Sequence, residues 1–106
     1  MSREELKGHL DLLLLATLGT GEFHGYALIE ELKRQSGGTF DLPEGTIYPA
    51  LHRLERAGLL SSRWSSMSGR RRRVYELTRK GQEALDERRR SWREFSTGVE
   101  LVLGEA

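Results

Sequence analysis

The sequence has no cysteine. Disulfide staples, thiolate metal sites and a cysteine nucleophile are therefore excluded, and redox compartment cannot be read from thiols. Long hydrophobic runs are missing too. The longest, Leu12 to Ala16, has five residues, against the roughly 20 that a spanning helix needs. The charged start, Met1-Ser2-Arg3-Glu4-Glu5, lacks the layout of a signal peptide. A soluble, cytoplasmic protein is expected, with no membrane association. At 106 residues the chain is too short for a doubly wound nucleotide fold with a substrate domain, or for a (β/α)8 barrel. One domain, or one small domain with an appendage, is what the length allows. The 37% apolar content can form a small core, but a lone monomer of this size is only marginally stable.

The net charge of +1 hides an asymmetry. Residues 1–62 carry six basic and nine acidic side chains, residues 63–93 carry eleven and four, and residues 94–106 carry none and three. A basic block between acidic ends points to a polyanion-facing surface, although charge alone is equally compatible with a solvated face.

Periodicity divides the chain. Leu6, Leu10, Leu13, Leu14 and Leu18 recur at helical spacing and predict a first helix over residues 6–18. Gly19-Thr20-Gly21 supplies its stop. A second helix is expected over residues 26–35, with Ala27, Leu28, Ile29 and Leu32 as its stripe, ended by Ser36-Gly37-Gly38. The alternation in Thr39-Phe40-Asp41-Leu42 suggests one very short strand. A third helix is expected from Pro43 or Glu44 to Ala57, with Pro43 suited to the first helical position because its missing N–H has no helical partner there. After Gly58 the period becomes extended. Residues 59–65 and 71–77 predict two strands joined by the turn Ser66-Met67-Ser68-Gly69, a β-hairpin. Thr78 then caps a final helix over residues 79–103.

Three helices, a hairpin and a last helix give the order of a winged helix-turn-helix. The expected fold class is mainly α with a small β-hairpin: a winged helix-turn-helix over residues 1–78 and a long C-terminal dimerisation helix over residues 79–106. In a helix-turn-helix the later helix enters the major groove, and the wing can follow the flanking phosphates. The run Arg70-Arg71-Arg72-Arg73 falls at the predicted wing tip, which favours the polyanion over the solvated face.

Projected at 100° per residue, Ile47, Ala50, Leu51 and Leu54 form the inner face of the third helix. Gly45, Pro49, His52 and Arg56 point outward, flanked by Thr46, Tyr48 and Arg53. Thr46, Tyr48, Pro49 and His52 are the candidate base readers, and Arg53 and Arg56 candidate phosphate contacts. Competing roles stay open: pairing of Arg53 and Arg56 with Glu55 or other carboxylates, and half-buried packing for Tyr48. Pro49 sits inside the helix, where it removes a hydrogen bond and predicts a break or a kink.

The motifs Gly25-Tyr26-Ala27-Leu28, Glu44-Gly45-Thr46-Ile47-Tyr48-Pro49-Ala50-Leu51-His52-Arg53-Leu54-Glu55, Ala57-Gly58-Leu59-Leu60 and Gly69-Arg70-Arg71-Arg72-Arg73-Val74-Tyr75-Glu76-Leu77-Thr78, with Gly81, resemble the PadR family of bacterial transcriptional regulators over about residues 6–103. The resemblance implies a homodimeric DNA-binding repressor, with a proline carried inside the recognition helix and a C-terminal dimerisation region that is here a single helix. It adds Tyr26 to the candidate DNA contacts. The partner it implies is double-stranded DNA, with a near-palindromic operator. Arg70 and Arg71 flank the turn glycine and are expected at phosphates or in the minor groove, with Arg72 and Arg73 free to pair with carboxylates.

Enzyme chemistry has no support. His9, His24 and His52 share no ligand spacing, so no metal and no cofactor is expected. Gly19-Thr20-Gly21 lacks the lysine and the spacing of a phosphate loop. The competing binding function is a winged-helix protein–protein adaptor without DNA binding. That function predicts an acidic or apolar third-helix face and a plain wing, the opposite of this sequence.

On the last helix, Leu85, Trp92, Phe95, Val99 and Val102 follow an a/d-type spacing and are the candidate dimer interface. Arg88, Arg89 and Arg90 lie off that seam, where solvation or pairing with Glu83, Asp86, Glu87 and Glu94 is expected. In some PadR relatives an aromatic residue of this helix faces a ligand space between subunits. The resemblance therefore leaves two roles for Trp92, dimer core or contact for a small aromatic inducer that releases the repressor.

Overall fold

The structure, a computed structural model, describes residues 2–67 and 69–105. The order is α1 (Arg3–Leu18), β1 (Phe23–His24), α2 (Gly25–Gln35), α3 (Glu44–Arg56), β2 (Leu60–Met67), β3 (Arg70–Leu77) and α4 (Arg79–Leu103). The fold is mainly helical with a small antiparallel sheet, in the winged helix-turn-helix arrangement.

Local chemistry sets the helix ends. α1 begins three residues before its first apolar position because Ser2 caps it: the Ser2 hydroxyl accepts the Glu5 N–H at 3.2 Å, a Ser-x-x-Glu start. His24 caps α2, its Nδ1 accepting the Ala27 N–H at 3.2 Å. Thr78 caps α4, its hydroxyl accepting the Gly81 N–H at 3.0 Å. Of the two expected starts, Pro43 and Glu44, α3 takes Glu44; Pro43 is its N-cap and makes no side-chain cap bond. Its carbonyl accepts the N–H groups of Thr46 and Ile47 at 3.0 and 3.2 Å. α3 runs unbroken through Pro49. Only the first turn and a half precede that residue, so a single backbone bond is lost, and the exposed Gly45 carbonyl side can be met by water.

The sheet order is β1-β3-β2. β2 and β3 pair from Leu60↔Leu77 to Met67↔Arg70, so the strands extend beyond the expected ends and Ser66 and Met67 belong to β2 and not to the turn. Ser68 lies outside the described residues. Gly69, at φ +74°, takes the left-handed conformation that a tight hairpin connection demands. The third strand is not where alternation placed it. Residues 39–42 form no strand; there the Phe40 N–H is met by the Ser36 hydroxyl at 2.9 Å and Leu42 plugs the core. β1 pairs instead through Phe23↔Tyr75 and His24↔Val74, which ties the start of α2 to the base of the wing.

The inner faces of α1, α2 and α3 meet in a core built on Leu14, Leu15, Leu28, Ile47, Leu51 and Leu54. The first turns of α4 join that core. Gly81 is buried so closely against the Leu59 carbonyl that a Cβ would overlap it, and Leu85 is 1% exposed. Leu85 therefore corrects the expected dimer seam. It packs within its own protomer and is not available to a second one.

Candidate nucleic-acid interface

Every residue assigned to the inner face of α3 is buried. Gly45, Pro49, His52, Arg53 and Arg56 are exposed, and Thr46 and Tyr48 are half-buried. The exposed side of α3 lies beside two other elements. The start of α2 comes so near that a Cβ on Gly25 would overlap the Tyr48 ring and hydroxyl. The wing closes a cleft of about 480 Å³, with His24, Gly25, Tyr26 and Tyr48 facing Trp64 and the four arginines 70–73.

Of the candidate DNA contacts, Tyr26, Tyr48, Arg70 and Arg71 share this cleft. Tyr26 is 58% exposed. The Tyr48 hydroxyl is pushed above its ordinary acidity range by burial and by the Glu44 carboxylate, so it is a neutral donor and acceptor at the cleft floor. Thr46 lies elsewhere, in a shallow groove with Arg3, Lys7 and Leu10 of α1. Pro49, His52 and Arg53 follow along the outward side of α3.

The wing arginines differ in how they are held. Arg73 donates through Nε to the Ser62 hydroxyl at 2.7 Å and lies 3.8 Å from the Glu55 carboxylate, which also accepts from Ser62. Among the described residues Arg72 has no carboxylate partner. Its guanidinium lies 2.8 Å from His24 Nε2, where pairing with an acid was expected. Among the described residues neither Arg70 nor Arg71 forms an ion pair. Arg71 instead lies over the indole of Trp64, 4.7 Å from the ring centre. Trp64 was not among the sequence candidates; its cross-strand register with Arg73 was the signal available.

Arg53, for which a phosphate contact and carboxylate pairing both stayed open, is paired with a carboxylate within the chain. It donates two hydrogen bonds to Asp11 of α1, at 2.7 and 2.9 Å. Arg88 of α4 approaches the same carboxylate at 3.6 Å. The hydrogen bonds from Arg53 hold the Asp11 carboxyl below its ordinary range against a smaller opposing effect of burial.

The far half of α4 presents Trp92, Phe95, Val99, Leu101, Val102 and Leu103 to solvent. Trp92 meets His9 of α1 edge to face at 5.0 Å. With Gly8, Leu12, Arg88, Ser91 and Phe95 they border a groove of about 260 Å³. Among the described residues no cluster of three or more His, Cys, Asp or Glu is arranged to hold a metal, and no helix is long and apolar enough to cross a membrane.

A model of the Transcriptional regulator PadR-like family matches residues 14–87. The transcriptional regulator Rv3488 of Mycobacterium tuberculosis is 40% identical over 97 residues, covering 92% of this chain and 88% of that protein. A crystal structure of a PadR-like transcriptional regulator from Bacillus cereus superposes with a TM-score of 0.83 at 34% identity, over 94% of this chain and 96% of the other. A PadR family regulator from Eggerthella lenta gives 0.82 at 32% identity, over 94% and 86%. With the family match spanning the winged helix and the relatives spanning nearly the whole chain, this protein belongs to the PadR-like family of transcriptional regulators and is a regulator, not an enzyme.

Proposed function

We propose that the protein is a sequence-specific DNA-binding repressor, active as a homodimer and released by a small aromatic ligand. The observation that carries this is the cleft between α2, α3 and the wing, which Tyr26, Tyr48 and arginines 70–73 line together. Thr46, Tyr48, Pro49 and His52 would meet base edges, with Tyr26, Arg53, Arg70 and Arg71 on the backbone. Tyr48 packs against Gly25 by its hydroxyl edge, which fixes the ring in the cleft before DNA arrives. Arg53 would have to share itself between Asp11 and a phosphate. Two such domains joined through α4, residues 79–106 serving as the dimerisation segment of a winged domain 1–78, would read a near-palindrome with half-sites about 10 bp apart or a multiple of that. An inducer would sit in the groove bordered by His9 and Trp92, at the edge of that dimer contact. Action in the cytoplasm follows from a DNA target.

Duplex binding measured by fluorescence anisotropy over a series of salt concentrations tests the proposal. The wild type should bind with a steep salt dependence, near −0.9 in log–log slope per phosphate met. Replacing Arg70 and Arg71 with Ala should weaken binding to all sequences alike and flatten the slope by roughly 1.8 if each meets one phosphate. No binding by micromolar protein at low salt would refute DNA recognition, and an unchanged slope would remove the wing from it.

A further inference from the structure

Trp64 is 55% exposed on the wing, a costly place for the largest apolar side chain. It stands opposite Arg73 in the β2–β3 register, with Arg71 two pairs further toward the tip and so on the same sheet face. Both guanidinium groups lie over its indole, Arg71 at 4.7 Å and Arg73 at 5.2 Å from the ring centre. The two arginines are otherwise unlike. Arg73 is tied to Ser62 and Glu55, so its charge is countered inside the protomer. For Arg71 the neutral indole is the one partner of the guanidinium seen among the described residues.

A ring quadrupole orients a cation without neutralising it. A carboxylate in the same place would order the arginine equally well, but a phosphate would then have to displace it. We propose that Trp64 is a positioning residue for Arg71: it holds the guanidinium in the mouth of the cleft, ordered before DNA arrives and with its full charge available to a phosphate. The ordering cost of a long side chain is then met in the free protein and not at binding. Glu55 and Ser62 fix Arg73 against the same ring, so the Ser62–Arg73–Glu55 cluster helps hold the indole in place. This inference rests on the DNA-binding function proposed above.

A double-mutant cycle on the full chain tests it, with duplex affinity and its salt slope as readouts. The variants are Trp64→Phe, Trp64→Leu, Arg71→Ala and Trp64→Leu combined with Arg71→Ala. Trp64→Phe, which keeps a π face, should bind within about twofold of wild type. Trp64→Leu, apolar but without that face, should lose about three- to tenfold, the scale of a cation–π contact, and should flatten the salt slope toward that of Arg71→Ala. The combined variant should bind no more weakly than Arg71→Ala alone. A role in wing stability alone would let Leu substitute as well as Phe, would leave the slope unchanged and would make the two losses additive; any of these overturns the proposal while leaving DNA binding intact. Failure of the wild type to bind any duplex at low salt would instead overturn the DNA-binding function and this inference with it.

Discussion

Asp11 of the first helix accepts both hydrogen bonds of an end-on Arg53 guanidinium, at 2.7 and 2.9 Å, and Arg88 of the last helix stands 3.6 Å from the same carboxylate. One acidic group thereby joins three helices, α1, α3 and α4. Its partners lie 42 and 77 positions away in the sequence, so the contact is tertiary and bears on how the helices meet and not on the structure of any one of them.

Replacing Asp11 with Asn should loosen this junction. The Arg53 side chain is 58% exposed, so solvent screens the pair and the expected cost is about 1 kcal/mol, or roughly 4–8 °C in Tm for a domain of this size. The sign with pH follows from the lowered Asp11 pKa. The stability gained from its charge is fully present above the ordinary value of 3.8 and is lost as pH falls through the lower folded value. The Tm gap between wild type and Asp11→Asn should therefore be open at pH 7 and closed in strong acid. A gap of the same size at both ends would show that the carboxylate charge is not what holds the junction.

His24 carries a second pH dependence. Its Nδ1 accepts the Ala27 N–H, while Nε2 lies 2.8 Å from the Arg72 guanidinium. A neutral imidazole has one acceptor nitrogen and its cation has none. The two contacts cannot both be hydrogen bonds at one moment, and protonation abolishes both. Burial, and secondarily the charge of Arg72, lower the His24 pKa below 6.5. Its contribution to stability is complete above pH 6.5 and declines as pH falls through the folded value. His24→Asn keeps an N-cap acceptor and removes the titration. Between pH 7.5 and 5.5 the wild type should lose more Tm than His24→Asn; equal losses would place the acid sensitivity elsewhere.

Much of this architecture was legible because it is local. The apolar stripes of α1, α2 and α3, the change to an extended period after Gly58, and the full extent of α4 all follow from patterns within one element. What escaped has a common cause. The first turn of α1 is polar, so apolar periodicity could not see it, although Ser2 and Glu5 carried the capping signal. β1 is two residues long and exists because Tyr75 and Val74 pair with it, partners some fifty positions away. The alternation at 39–42 was genuine, but Leu42 is buried singly and no strand lies alongside. Within the site, the outward set of α3 could be read from a wheel, whereas the capture of Arg53 by Asp11 and of Arg72 by His24 depends on tertiary contacts. Leu85 shows the same limit. Its spacing to Trp92 fits a seam, and spacing does not distinguish the core of one's own subunit from that of a partner.

Without Leu85, the seam on α4 begins at Trp92, and this is the sharpest test of assembly. Trp92 is 42% exposed and Val102 87%, with Phe95 and Val99 between them on the same side as an open apolar strip. Such a strip facing water calls for cover, and a second α4 has the matching repeat. Trp92 is partly covered already by His9, so truncation to Ala should forfeit less than a fully buried aromatic, roughly 3 kcal/mol, or about a hundredfold in dimer Kd. Light scattering on a dilution series should show wild-type dimers where Trp92→Ala has become monomeric. Dimers of Trp92→Ala that persist at nanomolar concentration would exclude the indole from the dimer core. The ligand role is read separately, in a Trp64→Phe protein where Trp92 is the remaining indole of the two. Planar aromatic compounds that enter the groove of His9, Arg88 and Phe95 should quench it saturably and weaken duplex binding over the same concentration range. Quenching without any change in DNA affinity would make the groove a binding site that does not govern repression, and no quenching across a broad aromatic panel would leave Trp92 to the dimer alone.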